Sequence, residues 1–363
     1  MLKTTKSFRT QSQEAPMFYS GIDLHKDNCF ITTINDVGDV VKQERVPNIP
    51  EAVLGYFGSL GGTHKTVVES TISWYWLSDL LEDHGIELMM AHAKYLKAIS
   101  YAKVKTDKVD SHTLATLLRM NLIPQAHKIS RELRDIRDVM RARLRYVQKR
   151  TRCIVAIHTI GRKFNCDDQI AIDRQTIPSQ LPEAYRLQLQ MLFRQISLLT
   201  EQILSLEKFL HPVLIPNDDI QRLLLVPGIG KTTAFTIYLE IDGIQRFPSD
   251  KHFVSYCRLV PGAKNSNKTL AHRSGCKDGN KYLKIAFSDA AVRALQYYAE
   301  IKAFYRKKVR RSNEPIARTL VAKELARIVY YVLKNKTDYR GFKGQPISRV
   351  KSMQWPRLRN PDA

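Results

Sequence analysis

Cysteine, acidic residues and long apolar runs are all scarce in this chain, and each shortage removes a class of protein. The five cysteines, Cys29, Cys153, Cys166, Cys257 and Cys276, are scattered, and no two are spaced as CxxC. That excludes the paired thiolates of a zinc ribbon and the disulfide framework of a small secreted domain, and it suits a reduced, cytoplasmic chain. No apolar run reaches the roughly 18 to 20 residues that a bilayer-spanning helix needs, so no membrane partner is expected. The first residues carry Lys3, Lys6 and Arg9 and lack an apolar signal core, so residues 1–16 read as a disordered leader. Asp and Glu number 35 against 58 Lys and Arg, a formal charge of +23. So large an excess has to be solvated or matched by an anionic partner, and nucleic acid leads.

What is present divides the 363 residues into several units, since a single hydrophobic core stops growing well below that length. Apolar, β-branched residues from Phe18 through Ile34 and a turn at Asn35 to Asp39 leading into Val40 and Val41 predict a β-meander. A helix over Ile49 to Leu60, a strand over Thr66 to Glu69, a helix over Trp74 to His84 closed by Gly85 and a strand over Ile86 to Ala91 follow. This alternation predicts an α/β domain over residues 17–128. Trp74, Tyr75 and Trp76 read as core rather than as stacking platforms for bases.

The middle segment, residues 129–215, is helical. Arg134, Arg137, Arg141, Arg145 and Lys149 recur at helical spacing over Arg131 to Arg152, with Leu133, Ile136, Met140, Leu144 and Val147 on another face. A solvated face is the ordinary reading of such a stripe, but the shortage of acidic partners favours phosphate contact. From Tyr185 on, Leu189, Leu192, Ile196, Leu199, Ile203, Leu206 and Leu210 alternate spacings of four and three, a heptad seam. The seam fits either a coiled coil between chains or one side of a helical hairpin within the chain. A mainly helical domain is expected over 216–336, opening on the helix, turn and helix of LLLVPGIGKTT, and a basic tail over 337–363. The GIGKT string lacks the first glycine of a Walker loop, since Leu225 stands there, which argues against ATP. The turn would instead offer the amides around Lys231 to a phosphate, or serve as a plain helix corner.

Four carboxylates stand out by placement: Asp23 within the first strand, Glu69 at the end of a later one, and Asp107 and Asp110 three apart on one helix face. A charge in an apolar strand is costly unless compensated, and a divalent ion is the natural compensator for hard oxygen ligands. Each has an ordinary explanation alone: Asp107 and Asp110 alternate with Lys105 and Lys108, and Glu69 adjoins a turn. Their combination in an α/β domain of a basic protein is the specific signal. His25 and His112 adjoin the set, but lone histidines are usually structural and neither is given a role.

At these residues the chain resembles the DEDD transposases of the insertion-sequence one-ten family, which also includes the Piv-type DNA invertases. The resemblance rests on GIDLHKDN around Asp23, VVES around Glu69, AKVKTDKVDSHTLATLLR around Asp107 and Asp110, LLLVPGIGKTTA, RLVPG and GNKYLK. It implies a ribonuclease-H/RuvC-like N-terminal catalytic domain, a helical coiled-coil middle and a mainly α-helical C-terminal transposase domain. It also implies a magnesium site, with manganese as the alternative ion, built from Asp23, Glu69, Asp107 and Asp110. A serine nucleophile is implied after the LVPG turn, which falls on Ser266. Asn267 follows it where the family commonly has glycine or alanine, so Ser274 stands as a second candidate. By composition alone a serine beside Lys264, Lys268 and Arg273 reads as a polar residue of a basic, nucleic-acid-facing loop. The implied partners are donor and target DNA, a non-coding bridge RNA, and further copies of the chain as a homodimer assembling to a tetramer, in a prokaryotic nucleoid.

Three readings stand: a recombinase or transposase with a serine nucleophile, a metal-dependent structure-specific nuclease resembling a junction resolvase, and an inactive nucleic-acid-binding protein. A covalent protein–DNA adduct separates the first from the second, and the complete carboxylate quartet argues against the third.

Overall fold

A computed structural model describes residues 16–99, 106–261 and 278–342. The described residues form two compact units, divided between Arg131 and Glu132. The first holds a five-stranded mixed sheet. Strand β1 (Met17–Leu24) runs antiparallel to β2 (Asn28–Ile34), which pairs antiparallel with β3 (Val40–Pro47). After helix α1 (Pro50–Gly58), strand β4 (Thr63–Glu69) returns parallel to the other side of β1. Helix α2 (Trp74–Asp83) then leads to β5 (Glu87–Ala91), parallel to β4, and helices α3 (Ala93–Ile99) and α4 (Asp107–Arg119) complete the unit. The strand order is β3-β2-β1-β4-β5, compatible with the RuvC-like expectation.

Side chains alternate across a sheet with period two, and here the alternation separates two cores. Ile22, Leu24 and Val68 pack on one face with Val53, Tyr56 and Phe57 of α1 and Leu77 and Leu81 of α2. Val67 and Ala91 pack on the other with Leu96 of α3 and Leu114 and Leu118 of α4. Trp74 and Trp76 are partly buried against the first of these cores. Gly21 explains how α4 can lie so close: a Cβ there would sit 2.0 Å from the Ser111 carbonyl oxygen and 2.5 Å from the Ala115 nitrogen. The missing side chain lets the helix backbone touch the central strand. A hydroxyl bond of 2.6 Å between Thr32 and Ser111 ties the same helix to β2.

The second unit is helical. Helix α5 (Arg131–Lys163) runs eleven residues beyond the basic segment expected from the sequence, because the apolar spacing continues through Ile157. It pairs antiparallel with α6 (Glu183–Val213): Arg143 bonds Glu207, Arg150 bonds Thr200, and Phe164 meets Tyr185 edge to face. Within the heptad seam Leu189, Ile203 and Leu210 are buried inside the chain, as a hairpin requires. Leu187, Met191, Leu198 and Phe209 of α6 stay exposed. Beyond it come α7 (Asp218–Leu224), α8 (Lys231–Ile241), α9 (Asp250–Tyr256), α10 (Lys281–Tyr297), α11 (Ala299–Val309) and α12 (Glu314–Lys334). Val321, Leu325 and Val329 of α12 form part of their shared core. The α7-to-α8 corner turns at Gly228, whose φ of +78° and whose close approach to the Ala290 carbonyl both demand glycine. Tyr339 and Phe342, from the segment expected as a tail, are buried in this core. The four described cysteines, Cys29, Cys153, Cys166 and Cys257, are free and buried. No helix among the described residues is long and apolar enough to cross a membrane.

Candidate active site

Asp23 is the next-to-last residue of β1 and Glu69 the last of β4. The parallel register pairs Ile22 with Val68, so the next residue of each strand, Asp23 and Glu69, emerges side by side on the α4 face. Helix α4 brings the other two carboxylates to the same end of the sheet. Thr106 caps it by accepting a hydrogen bond from the Val109 amide, which puts Asp107 and Asp110 in the first turn, where helix-dipole attraction favours negative charge. Gly21, two residues before Asp23, sets the distance between helix and strand. The sequence therefore supplies the site by three local devices: a strand end, a capped helix start and a side-chain-free contact between them.

Burial pushes the Asp23 carboxyl above its ordinary pKa; nearby His25 opposes this, while Asp110, Asp107 and Glu69 reinforce it. Asp110, Asp107 and Glu69 are thus each within electrostatic reach of Asp23, and that repulsion favours any cation that enters. Among the described residues Asp23, His25 and Asp107 offer ligand atoms lying within 4.8 Å of one another. Two carboxylate oxygens and an imidazole nitrogen converging in this way fit a divalent metal ion by the chemistry of the donor set.

Two members of this site were given no role from the sequence. His25, at the β1-to-β2 turn, places Nε2 3.2 Å from Asp23 Oδ2 and 3.3 Å from Asp107 Oδ1. Arg45, on β3, donates from Nη2 to Asp107 Oδ2 at 2.7 Å. Asp107 thus pairs with residues distant in sequence, in addition to standing among the lysines around it. A histidine two residues after a half-buried strand aspartate was the available signal for the first. No sequence signal marks the second.

The basic stripe of α5 divides. Arg134 is 3% exposed and Arg137 half-buried. Arg141 donates to both oxygens of Glu240, itself 2% exposed, at 2.5 and 2.6 Å, and its guanidinium stacks on Tyr282. Arg145 and Lys149 are exposed. Lys231 begins α8, whose N-terminus has no side-chain cap. Ser266, Ser274, Lys264, Lys268 and Arg273 lie outside the described residues. A second exposed group was not singled out from the sequence, although the run KAFYRKKVRR is visible there: Arg306, Lys307, Arg310 and Arg311, at and just beyond the end of α11. None of the four has an ion-pair partner among the described residues.

Comparison with known proteins decides the family. Residues 20–160 match the DEDD transposase model of the IS110 group, and residues 220–306 match the model described as transposase IS116/IS110/IS902 family. The chain belongs to the IS110 family of DEDD transposases. The first match spans the whole carboxylate site and the second spans α7 through most of α11. Relatives include the transposase for insertion sequence element IS1111A of Coxiella burnetii, 23% identical with 88% of this chain and 90% of that protein aligned. The transposase for insertion sequence element IS1328 of Yersinia enterocolitica is 22% identical, with 88% and 97% aligned. A probable family 20 transposase of Pseudomonas aeruginosa is 24% identical, with 73% and 82% aligned. Membership in this family implies DNA as substrate and cleavage and transfer of DNA strands as the activity. Use of a divalent metal, suggested by the DEDD family, agrees with the acidic group at the ends of β1 and α4.

Proposed function

We propose that this IS110-family transposase cuts and rejoins DNA through Ser266, assisted by magnesium, or alternatively manganese, held by Asp23, Glu69, Asp107 and Asp110. The observation that supports the metal part is the approach of Asp23 and Asp107, whose ligand atoms lie within 4.8 Å of each other, with Glu69 at the neighbouring strand end and Asp110 in the same helix turn. A divalent ion bound there would draw charge from a phosphodiester and from its leaving oxygen. Asp23, fixed in the central strand, and Glu69 beside it provide the rigid half of the site; Asp107 and Asp110 are carried by α4. In the serine step the Oγ–P bond forms, the P–O bond of the phosphodiester breaks, and the serine proton passes to the departing sugar oxygen. Ser274 is the alternative nucleophile.

The remaining parts of the reading concern what holds the substrate. A net charge of +23 suits a protein that grips phosphates while base pairing with a structured bridge RNA selects the donor and target DNA. Arg145, Lys149, Lys231, Lys264, Lys268 and Arg273 are proposed as phosphate contacts. Arg134, Arg137 and Arg141 belong to the same expected stripe, with Arg141 acting through Glu240 rather than at a phosphate. The exposed apolar residues Leu187, Met191, Leu198 and Phe209 support association of α6 with a second copy as a coiled coil, and hence a dimer that pairs into a tetramer.

The test is an adduct assay. Protein, magnesium, the adjacent non-coding RNA and end-labelled donor DNA are incubated, denatured and resolved. A covalent protein–DNA band present in wild type and Ser274→Ala but absent in Ser266→Ala supports the assignment. Cleavage with no adduct, abolished by Asp23→Ala, overturns the serine step and leaves a metal-dependent nuclease. An adduct that forms equally without RNA removes the guide from the reading.

A further inference from the structure

We infer that His25 supplies a nitrogen ligand to the carboxylate centre and thereby shifts its metal preference from magnesium toward manganese. The inference rests on the proposal above that the four carboxylates hold a divalent ion. Its own support is geometric. A single imidazole nitrogen, Nε2, lies 3.2 Å from Asp23 Oδ2 and 3.3 Å from Asp107 Oδ1, so it faces the space that both carboxylates face. The turn that carries it is fastened from several directions. The His25 amide donates to the Asn28 carbonyl at 3.0 Å, and the Asn48 side-chain amide donates to the carbonyls of His25 and Lys26 at 3.0 Å each. The Asn48 backbone amide closes on the Asp27 carbonyl at 3.1 Å. A ring mounted on a turn held in this way loses little freedom when it binds.

The chemistry of the donors gives the direction of the preference. Magnesium is hard, takes oxygen ligands and keeps much of its water, so a nitrogen donor adds little to its binding. Imidazole suits the first-row transition metals, and manganese, although it shares magnesium's fit to carboxylate oxygen, is the softer of the two ions and takes a nitrogen donor more readily. A centre built only from Asp23, Glu69, Asp107 and Asp110 would treat the two ions much alike. Adding His25 separates them. A histidine paired with two carboxylates merely as a cation would behave differently, because its removal would change the affinity for both ions in the same sense.

The experiment uses the full chain, stripped of metal, in wild type, His25→Ala, His25→Asn and Asp23→Asn. Mn2+ binding is read from the free-ion paramagnetic resonance signal, and Mg2+ binding from its competition against Mn2+. Electron spin-echo modulation of the bound Mn2+ reports any directly coordinated nitrogen. The expected result is nitrogen modulation in wild type that disappears in His25→Ala. Mn2+ affinity should fall roughly tenfold or more in that variant, the scale on which metal sites respond to loss of a supporting group, with a much smaller change for Mg2+. His25→Asn should behave as His25→Ala toward Mn2+. Absence of nitrogen modulation in wild type, its persistence in His25→Ala, or an equal loss of affinity for both ions overturns the inference. If Mn2+ binding depends on Asp23 but not on His25, the inference alone falls. If wild type binds neither ion, the carboxylate reading falls with it. His25 is 46% exposed at its side chain, so its replacement leaves the core intact, and circular dichroism of each variant checks this.

Discussion

Replacing Gly21 with alanine tests whether the approach of α4 to β1 builds the candidate active site. Gly21 does not adopt a positive φ, so alanine meets no backbone penalty there and its whole effect comes from crowding. The new methyl carbon would lie 2.0 Å from the Ser111 carbonyl oxygen, 2.5 Å from the Ala115 nitrogen and 2.7 Å from the Leu114 Cβ, where ordinary contact begins near 3.4 Å. Two of these three atoms are helix backbone, which cannot rotate away, so α4 has to withdraw by more than an ångström. Overpacking of this kind costs about 1–3 kcal/mol, and backbone contacts place Gly21→Ala toward the upper end. The larger effect falls on function, since withdrawal of α4 carries Asp107 and Asp110 away from Asp23 and Glu69. A displacement of about 1 Å in a catalytic array costs on the order of 100-fold in rate. The assay pairs urea unfolding with Mn2+ binding and strand cleavage, measured where the variant is still folded. Gly228→Ala is the control: its Cβ would be just as crowded, 2.0 Å from the Ala290 carbonyl, and at a positive φ, but in the helical unit. It should destabilise the chain while leaving metal affinity unchanged. Wild-type metal binding and cleavage in Gly21→Ala would refute the idea that this contact sets the geometry.

Further outcomes follow from the electrostatics. Asp23 has a raised pKa in the folded chain, so its contribution to stability is full below the ordinary carboxylate pKa and is lost as pH rises through the raised value. Asp23→Asn should therefore raise the melting temperature of the metal-free chain at neutral pH and abolish both the metal-induced stabilisation and cleavage; an unchanged or lower melting temperature counts against a charge cost at Asp23. Arg141→Ala leaves the buried Glu240 carboxylate with Asn280 as its one remaining hydrogen-bond partner among the described residues, and should cost about 3–5 kcal/mol in chemical denaturation. Adding Glu240→Gln should recover part of that loss, and an exposed-arginine effect below about 1 kcal/mol would contradict it. Alanine at Arg306, Lys307, Arg310 and Arg311 should reduce the slope of log affinity for DNA against log salt by about 0.9 for each cation that neutralises a phosphate. An identical slope would make that cluster a solvated helix end.

Much of the first unit and of its candidate site was legible because the information is local. The alternation of Ile22, Asp23 and Leu24 gives a strand with one charged residue on a buried face, and Thr106 followed by Asp107 and Asp110 gives a capped helix start. His25 had a local signal, its place two residues after Asp23, whereas Arg45 had none, because its partner Asp107 is 62 residues away and only the packing of α4 against the sheet brings the two together. Arg141 shows the converse. Its spacing placed it in an exposed stripe, whereas its partner is Glu240, the lone carboxylate in the apolar run of α8. A charged residue at a buried helix position is the signal that a cation must come to it. The heptad pattern was legible as a pattern but not as a partner, since the same seam suits α5 of the same chain.

The motif strings of the C-terminal unit gain a physical meaning once this pairing is known. Asn280 of GNKYLK accepts from the Tyr282 and Leu283 amides, capping α10, and donates to Glu240 Oε2 at 2.6 Å. Burial works against the Arg141 charge, but its hydrogen bonds and attraction to Glu240 raise its pKa nevertheless. One buried carboxylate thus joins three helices: α5 through Arg141, α8 through Glu240 itself, and α10 through its cap. Gly279, at φ +99°, lets the chain pass against the Tyr256 carbonyl, to which the Asn280 amide donates, while Arg258 donates to the Gly279 carbonyl at 2.7 Å. These bonds clamp together the two described ends between which Ser266 lies in sequence. A polar network of this cost is hard to explain as stability alone, since apolar residues of similar volume often serve a core at least as well. Its place between three helices is the more economical reason for it: hydrogen bonds of fixed geometry around Glu240 set how α5, α8 and α10 meet, which apolar contacts alone specify less sharply.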